Sequence, residues 1–214
     1  MKYLAIYLIM AIITMSGADN MVIKLPEANF TNRSIEECIA QRRSVRSYKK
    51  NTGLSEDQLS LLLWSAQGIT DQARGFRAAP SAGATYPLEL FIAKKDGLYR
   101  YIPESHSLKI EKKKDLRKSI AGAALNQMFI ADASIVIVIT AVFERTTNRY
   151  GERGAQYINN EVGHCAQNLH LEAVALGLGS VPIGAFDEDK VKQTLELNEE
   201  FPLYIVPVGY ENKQ

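Results

Sequence analysis

Cysteine is scarce in this chain. Two residues, Cys38 and Cys165, stand far apart in 214 residues, which leaves no disulfide framework to read. Each lies in an apolar stretch with helical spacing, so both are expected as buried thiols. Histidine is scarcer than a metal site needs. His106, His164 and His170 are scattered and no Cys-x-x-Cys occurs, so no metal centre is expected. His164 and His170, six apart, do not share a helical face, and the adjacent His164 and Cys165 point in different directions on a helix. Charge of one sign is also lacking. Lys plus Arg number 25 and Asp plus Glu 24, a net +1, which indicates neither a nucleic-acid nor a membrane-surface partner. Any basic site is therefore local, which suits a small phosphorylated ligand.

Long apolar runs are missing too. The longest, Tyr3 to Met15 after Lys2, falls short of the roughly 20 residues that span a bilayer. Small residues Ser16-Gly17-Ala18 follow it. This reads as a secretory signal over 1–18 cleaved near Ala18, without a twin arginine. An uncleaved anchor, or a start at Met21, is the other reading. An exported or periplasmic protein follows from the first, with no stable membrane insertion after cleavage, and a cytoplasmic one from the last. Residues 19–214 are expected to form one domain.

What is present begins with helix signals. Ser34-Ile35-Glu36-Glu37 and Ser55 with Gln58 have the form of capping boxes. The second helix should stop at Gly68. Residues 19–33 and 69–87 look irregular. Leu88–Ala93 and Leu98–Ile102 read as a hairpin around Lys95-Asp96-Gly97, Asp-Gly tolerating positive φ. Helical segments are expected around 115–132. Ala133–Phe143 is rich in Ile, Val and Thr and reads as a buried central strand. The longest helix should run from Gly154 to Leu178, with Ile158, Val162, Cys165, Leu169, Ala173 and Leu176 on one face. Ser180–Ile183 and Leu203–Val208 read as strands, with an Asp187-capped helix between them. The hairpin interrupts the alternation of strand and helix, so α+β is expected rather than a doubly wound sheet.

Four local features can carry chemistry. Arg42-Arg43-Ser44-Val45-Arg46 packs three guanidinium groups and a hydroxyl into five residues, a donor set matched to phosphate oxygens. Pro80-Ser81-Ala82-Gly83-Ala84-Thr85-Tyr86-Pro87 is a small-residue loop that lets backbone approach a ligand. Gly177 to Phe186 contains Pro182-Ile183-Gly184-Ala185, able to present backbone N–H groups to a planar ring. Arg149-Tyr150-Gly151-Glu152-Arg153 is a polar segment before the long helix.

In this order, together with Gly163-His164…Gln167-Asn168-Leu169, these features resemble the nitroreductase-like flavoprotein family. More narrowly, they resemble the branch containing azoline oxidases of thiazole and oxazole peptides. The resemblance runs from about Leu25 to Gly209. It implies a central mixed sheet flanked by helices, and a homodimer with FMN sites at its interface. It places Arg42, Arg43 and Ser44 on the FMN phosphate and ribityl chain, and Arg46 near the pyrimidine edge. Pro80, Ser81, Ala82 and Gly83 match a loop that reaches the flavin of the partner subunit. Pro182, Ile183, Gly184 and Ala185 match the segment whose N–H approaches flavin N5. Ala84 stands where many members have asparagine. Where many members have a basic residue past the last strand that helps bind phosphate, Lys213 is the one basic residue here. Arg149-Tyr150 stands where azoline oxidases have a Lys-Tyr pair, which leaves Tyr150 as the catalytic candidate.

The function implied is an FMN-dependent oxidoreductase. It would pass hydride from NADH, NADPH or another donor to a small electrophilic acceptor, of nitroaromatic or quinone type. The alternatives are a flavin-dependent dehydrogenase of a peptide azoline or small heterocycle, and a non-catalytic flavin-binding module.

Overall fold

The computed structural model describes residues 22–213, so the expected signal segment lies outside the described residues. The fold is built outward from the most apolar strand, β7 (Ile135–Ala141), whose seven residues are all buried. Side chains on a strand alternate between faces, and both faces of β7 are covered. Ile135, Ile137, Ile139 and Ala141 join one core and Val136 and Val138 the other. The expected buried central strand is thus present.

Around β7 lies a seven-stranded sheet. On one side are β4 (Leu88–Lys94), β5 (Gly97–Ile102), β6 (Ser107–Lys112) and β1 (Val22–Lys24); on the other are β9 (Phe201–Gly209) and β8 (Gly179–Ser180). The first core is closed by α2 (Glu56–Gln67) and the long α6 (Arg153–Ala175), and the second by α3 (Arg117–Ala123), α4 (Phe129–Asp132) and α7 (Glu188–Leu195). This is the expected α+β class in three layers. Every pairing between strands of this sheet is antiparallel. The mixed character expected of it is confined to one isolated parallel bridge, Ser44 to Ser180.

Local signals hold where they rest on caps. Ser34 and Glu37 form a complete capping box on α1 (Ile35–Gln41), as do Ser55 and Gln58 on α2. Asp187 accepts from Lys190 N and starts α7. Two glycines do a different job from the one expected. Gly68 ends α2 at φ −64°, and a Cβ there would lie 2.5 Å from the Trp64 ring. Gly97 has no positive φ; a Cβ would strike the Lys112 carbonyl of β6 at 2.5 Å. Both are glycine for close packing, not for turn geometry. The region 69–87, expected as irregular, contains a small hairpin of β2 (Ile69–Asp71) and β3 (Phe76–Arg77). The polar segment 149–153 begins in the last turn of a further helix, α5 (Glu144–Tyr150). Cys38 and Cys165 are buried free thiols, as expected. Among the described residues no helix is long and apolar enough to cross a membrane.

Candidate functional site

The arginine stretch leaves α1 at its C-terminal end. Arg42 N–H donates to Cys38 O at 2.9 Å, and the chain then turns extended. Val45 N donates to Ser180 O at 3.0 Å, which fixes the stretch against β8. The Tyr48 hydroxyl, buried, lies 2.7 Å from Val45 O and 3.2 Å from Pro207 O, and ties the same segment to β9. In extended backbone alternate residues share a side. Arg42, Ser44 and Arg46 therefore form one row, and Arg43 and Val45 the opposite one.

The two rows have different surroundings. Arg43 and Val45 line a cavity of about 520 Å³ with Arg33, Lys49, Tyr210 and Lys213. Arg43 Nη1 is held by Ala40 O at 3.1 Å and Arg42 O at 2.7 Å. On the other row, Ser44 and Arg46 are exposed, and no side-chain partner is present for Arg46 among the described residues. Arg42 is half-buried. Its Nη1 lies 3.0 Å from His170 Nε2, and His170 Nδ1 lies 2.7 Å from Ser180 Oγ. The expectation grouped Arg42, Arg43 and Ser44 on one ligand end; the structure sets Arg43 apart, beside Lys213.

The third motif adjoins the first. β8 runs directly into Pro182–Ala185, and Ile183 exchanges both backbone hydrogen bonds with Ile205, at 2.8 and 3.0 Å. Gln127 Nε2 holds Ala185 O at 3.0 Å. Gly184 and Ala185 are exposed, and their N–H groups have no partner among the described residues. A Cβ at Gly184 would meet the Tyr204 ring at an ordinary 3.4 Å, so packing inside the chain does not demand glycine there.

The Pro80–Gly83 loop belongs to a second grouping. Gly83 at φ +60°, Ala84 at +54° and Tyr86 at +44° are left-handed, a conformation that strains residues with a Cβ. Surrounding hydrogen bonds over-determine it. Ser81 Oγ accepts from Tyr86 N at 3.0 Å, Thr85 Oγ1 meets Thr146 Oγ1 at 2.7 Å, and Arg145 donates to Tyr86 O at 3.1 Å. Arg149 Nη1 donates to Gly83 O at 3.1 Å. A Cβ at Gly83 would collide with the Tyr150 hydroxyl. Tyr150 stacks edge-on against Tyr157 at 5.1 Å. The structure thus brings Tyr150 to the Pro80–Gly83 loop.

Both groupings rest on α6, and sequence reasoning missed the two residues that support them. Glu161, 2% exposed, lies beneath the loop near Ser81, and its Oε1 has no partner among the described residues. Burial pushes its carboxyl up to about 7, and Ser81 and Arg77 oppose the rise. His170, 3% exposed, lies beneath Arg42. Burial, then the Arg42 charge, lowers its imidazole to about 4. The available signal was a polar residue at a core position: Glu161 follows Ile158 by three and His170 follows Ala166 by four. Nine positions on α6 amount to about 13.5 Å of rise, so within one chain the two groupings stay apart.

A family model described as the nitroreductase family matches residues 39–210. The chain belongs to the nitroreductase family. A protein named as a nitroreductase in Methanocaldococcus jannaschii is 45% identical over 197 residues, covering 89% of this chain and 97% of that one. The crystal structure of a protein described as a nitroreductase from Ralstonia eutropha superposes with a TM-score of 0.83 at 29% identity, covering 93% of both chains. The microcin B17-processing protein McbC of Escherichia coli is 24% identical over 178 residues, covering 77% of this chain and 61% of McbC. A chain of the E. coli microcin synthetase McbBCD complex shares the fold at a TM-score of 0.71 and 23% identity, covering 87% of this chain and 76% of that one. This nitroreductase-family chain is therefore an oxidoreductase by family, and its relatives include one named as a nitroreductase and one named as a microcin B17-processing protein.

Proposed function

We propose that the protein is an FMN-dependent oxidoreductase that takes hydride from NADH or NADPH and delivers it to a small planar electrophile, such as a nitroaromatic or a quinone. The single observation that carries this reading is the junction of the first and third motifs. Arg42, Ser44 and Arg46 stand in one row, and β8 joins that row to the unpartnered N–H groups of Gly184 and Ala185. This donor set fits FMN: cations and a hydroxyl for a phosphate and sugar alcohol, a basic residue and backbone donors for a ring edge.

When bound, FMN supplies reversible two-electron hydride chemistry, and the protein supplies binding, orientation and electrostatics. Arg42 and Ser44 would hold the phosphate end. Arg46 would place a positive charge beside the ring, favouring added negative charge there. Gly184 and Ala185 would donate backbone N–H groups to the ring edge. Arg43 and Lys213, in their own cavity, would raise the positive potential behind the phosphate rather than touch it. The functional unit is proposed to be a homodimer, in which the Pro80–Gly83 loop and Tyr150 approach the partner subunit's flavin.

The test is an absorbance spectrum of purified protein, FMN titration, then anaerobic addition of NADH and NADPH. FMN uptake and bleaching by either nucleotide are expected. Arg42→Ala should weaken FMN binding by at least about tenfold, the worth of one charged hydrogen bond. Absence of FMN uptake by the parent protein overturns the reading. Flavin that binds but that no donor reduces would instead indicate a binding module.

A second reading, dehydrogenation of a peptide azoline, is favoured by the Tyr150 hydroxyl held against Gly83. An arginine side chain is a poor proton shuttle, so Tyr150 would act without the lysine of the azoline oxidases. Tyr150→Phe should abolish such an activity, and unchanged turnover would exclude it.

A further inference from the structure

His170 is a buried imidazole with a partner at each nitrogen, Arg42 Nη1 at 3.0 Å and Ser180 Oγ at 2.7 Å. Arginine carries donors only. Nε2 must therefore accept from Arg42, and the ring proton sits on Nδ1 and points to Ser180. One tautomer is fixed by these two contacts. An imidazolium has no lone pair to accept with, so the contact requires the neutral ring. Burial, reinforced by Arg42 itself, keeps the ring neutral at pH 7.

The contact uses one corner of the guanidinium. Among the described residues Arg42 makes no other side-chain hydrogen bond, so its Nε–Nη2 edge is free. That edge is a ready two-pronged donor for phosphate. Two other arginines of this chain are held by carboxylates instead. Arg77 pairs with Glu104 at 3.0 Å and Arg100 with Glu200 at 3.2 Å, and each carboxylate offsets its partner's charge. His170 holds Arg42 with a neutral acceptor, so orientation is gained and the positive charge stays whole.

We propose that His170 is a positioning residue that aims Arg42 at the phosphate of bound FMN while leaving its charge uncompensated. The proposal rests on the reading above, in which Arg42 binds that phosphate. Its signature is selective. FMN and riboflavin differ only in the phosphate, so His170 should matter for the first and not the second.

The experiment is fluorescence titration of apoprotein with FMN and with riboflavin, each variant being checked for a parent-like circular dichroism spectrum. The parent should prefer FMN over riboflavin, and Arg42→Ala should erase most of that preference. His170→Phe should weaken FMN binding by about tenfold with riboflavin binding unchanged. His170→Gln, which returns a neutral acceptor, should restore FMN binding to within about threefold of the parent. His170→Glu, which holds Arg42 but neutralises it, should lose the preference as Phe does. An unaltered preference in the Phe variant, or equal weakening for both ligands, overturns the proposal. If the Phe variant does not fold, the Gln and Glu variants decide, and equal preferences in those two overturn it. A parent that shows no phosphate preference, or an Arg42→Ala variant that keeps it, removes the underlying reading instead.

Discussion

The two ends of α6 solve the same problem in opposite ways. Each buries one polar side chain beneath a segment of the candidate site. His170 is satisfied at both nitrogens and supports an extended strip of ordinary backbone. Glu161 leaves Oε1 without a partner among the described residues and supports a loop with three left-handed residues in four. A satisfied buried group stabilises and orders its surroundings, whereas an orphaned one costs about 1–3 kcal/mol. The arginine end is thus held by matched contacts. The loop end stores strain and an unmet hydrogen bond, as segments that move or react commonly do.

Opposite signs of stability change would expose this difference. The largest expected effect is at His170: His170→Leu leaves a half-buried guanidinium and the Ser180 hydroxyl unmatched, and should lower unfolding stability by about 3 kcal/mol, read as a drop in urea midpoint. Gly83→Ala comes next. It places a Cβ at φ +60° against the Tyr150 hydroxyl, and about 2 kcal/mol should be lost.

Glu161→Gln should act in the other direction and depend on pH. The Glu161 carboxyl titrates at about 7 in the fold against 4.5 in the open chain. The native state holds the proton across that window and the unfolded chain does not. The resulting stability is fully present below about 4.5 and lost as pH rises through about 7. Glutamine stays neutral throughout, so the variant should match the parent at pH 4.5 and exceed it by about 1–2 kcal/mol at pH 8. His170, lowered from 6.5 to about 4, carries the reverse dependence. Its contribution is present above 6.5 and lost as pH falls through about 4. Thermal melts of the His170→Leu variant and the parent should therefore converge on acidification. A Glu161→Gln advantage that does not vary with pH would erase the contrast between the two ends. The smallest effect is at exposed Ala84, where Ala84→Gly relieves φ +54° and should add about 0.5–1 kcal/mol.

Elements with a local cause were legible in the sequence. The capping boxes of Ser34 and Ser55, the Asp187 cap, the apolar run of β7 and the face of α6 from Ile158 to Ala173 depend on neighbours within a few residues and appear where expected, although α6 ends at Ala175 and leaves Leu176 as its C-cap. Strand β6, Ser-Leu-Lys-Ile-Glu-Lys, went unread because four of its six residues are polar and its place is set by pairing with β5 and β1. Strand β1 is three exposed residues on the sheet edge, too short for any periodicity to register. The site divides in the same way. Three arginines in five residues announce themselves. Their partner does not, because His170 lies 128 positions from Arg42 and looks like one of three scattered histidines. The opposite facing of Arg43 was accessible in principle, since alternation alone predicts it once the stretch is known to be extended.

A further consequence follows from α6 being one unbroken 23-residue rod. The Arg42–His170 contact is anchored near its C-terminal half, and the strained loop with Tyr150 near its N-terminal half. Substitutions at one station need not re-aim the other. On the proposed reading, such a layout would let one station change while the other keeps its grip on the flavin, in a family whose relatives include one named as a nitroreductase and one named as a microcin B17-processing protein.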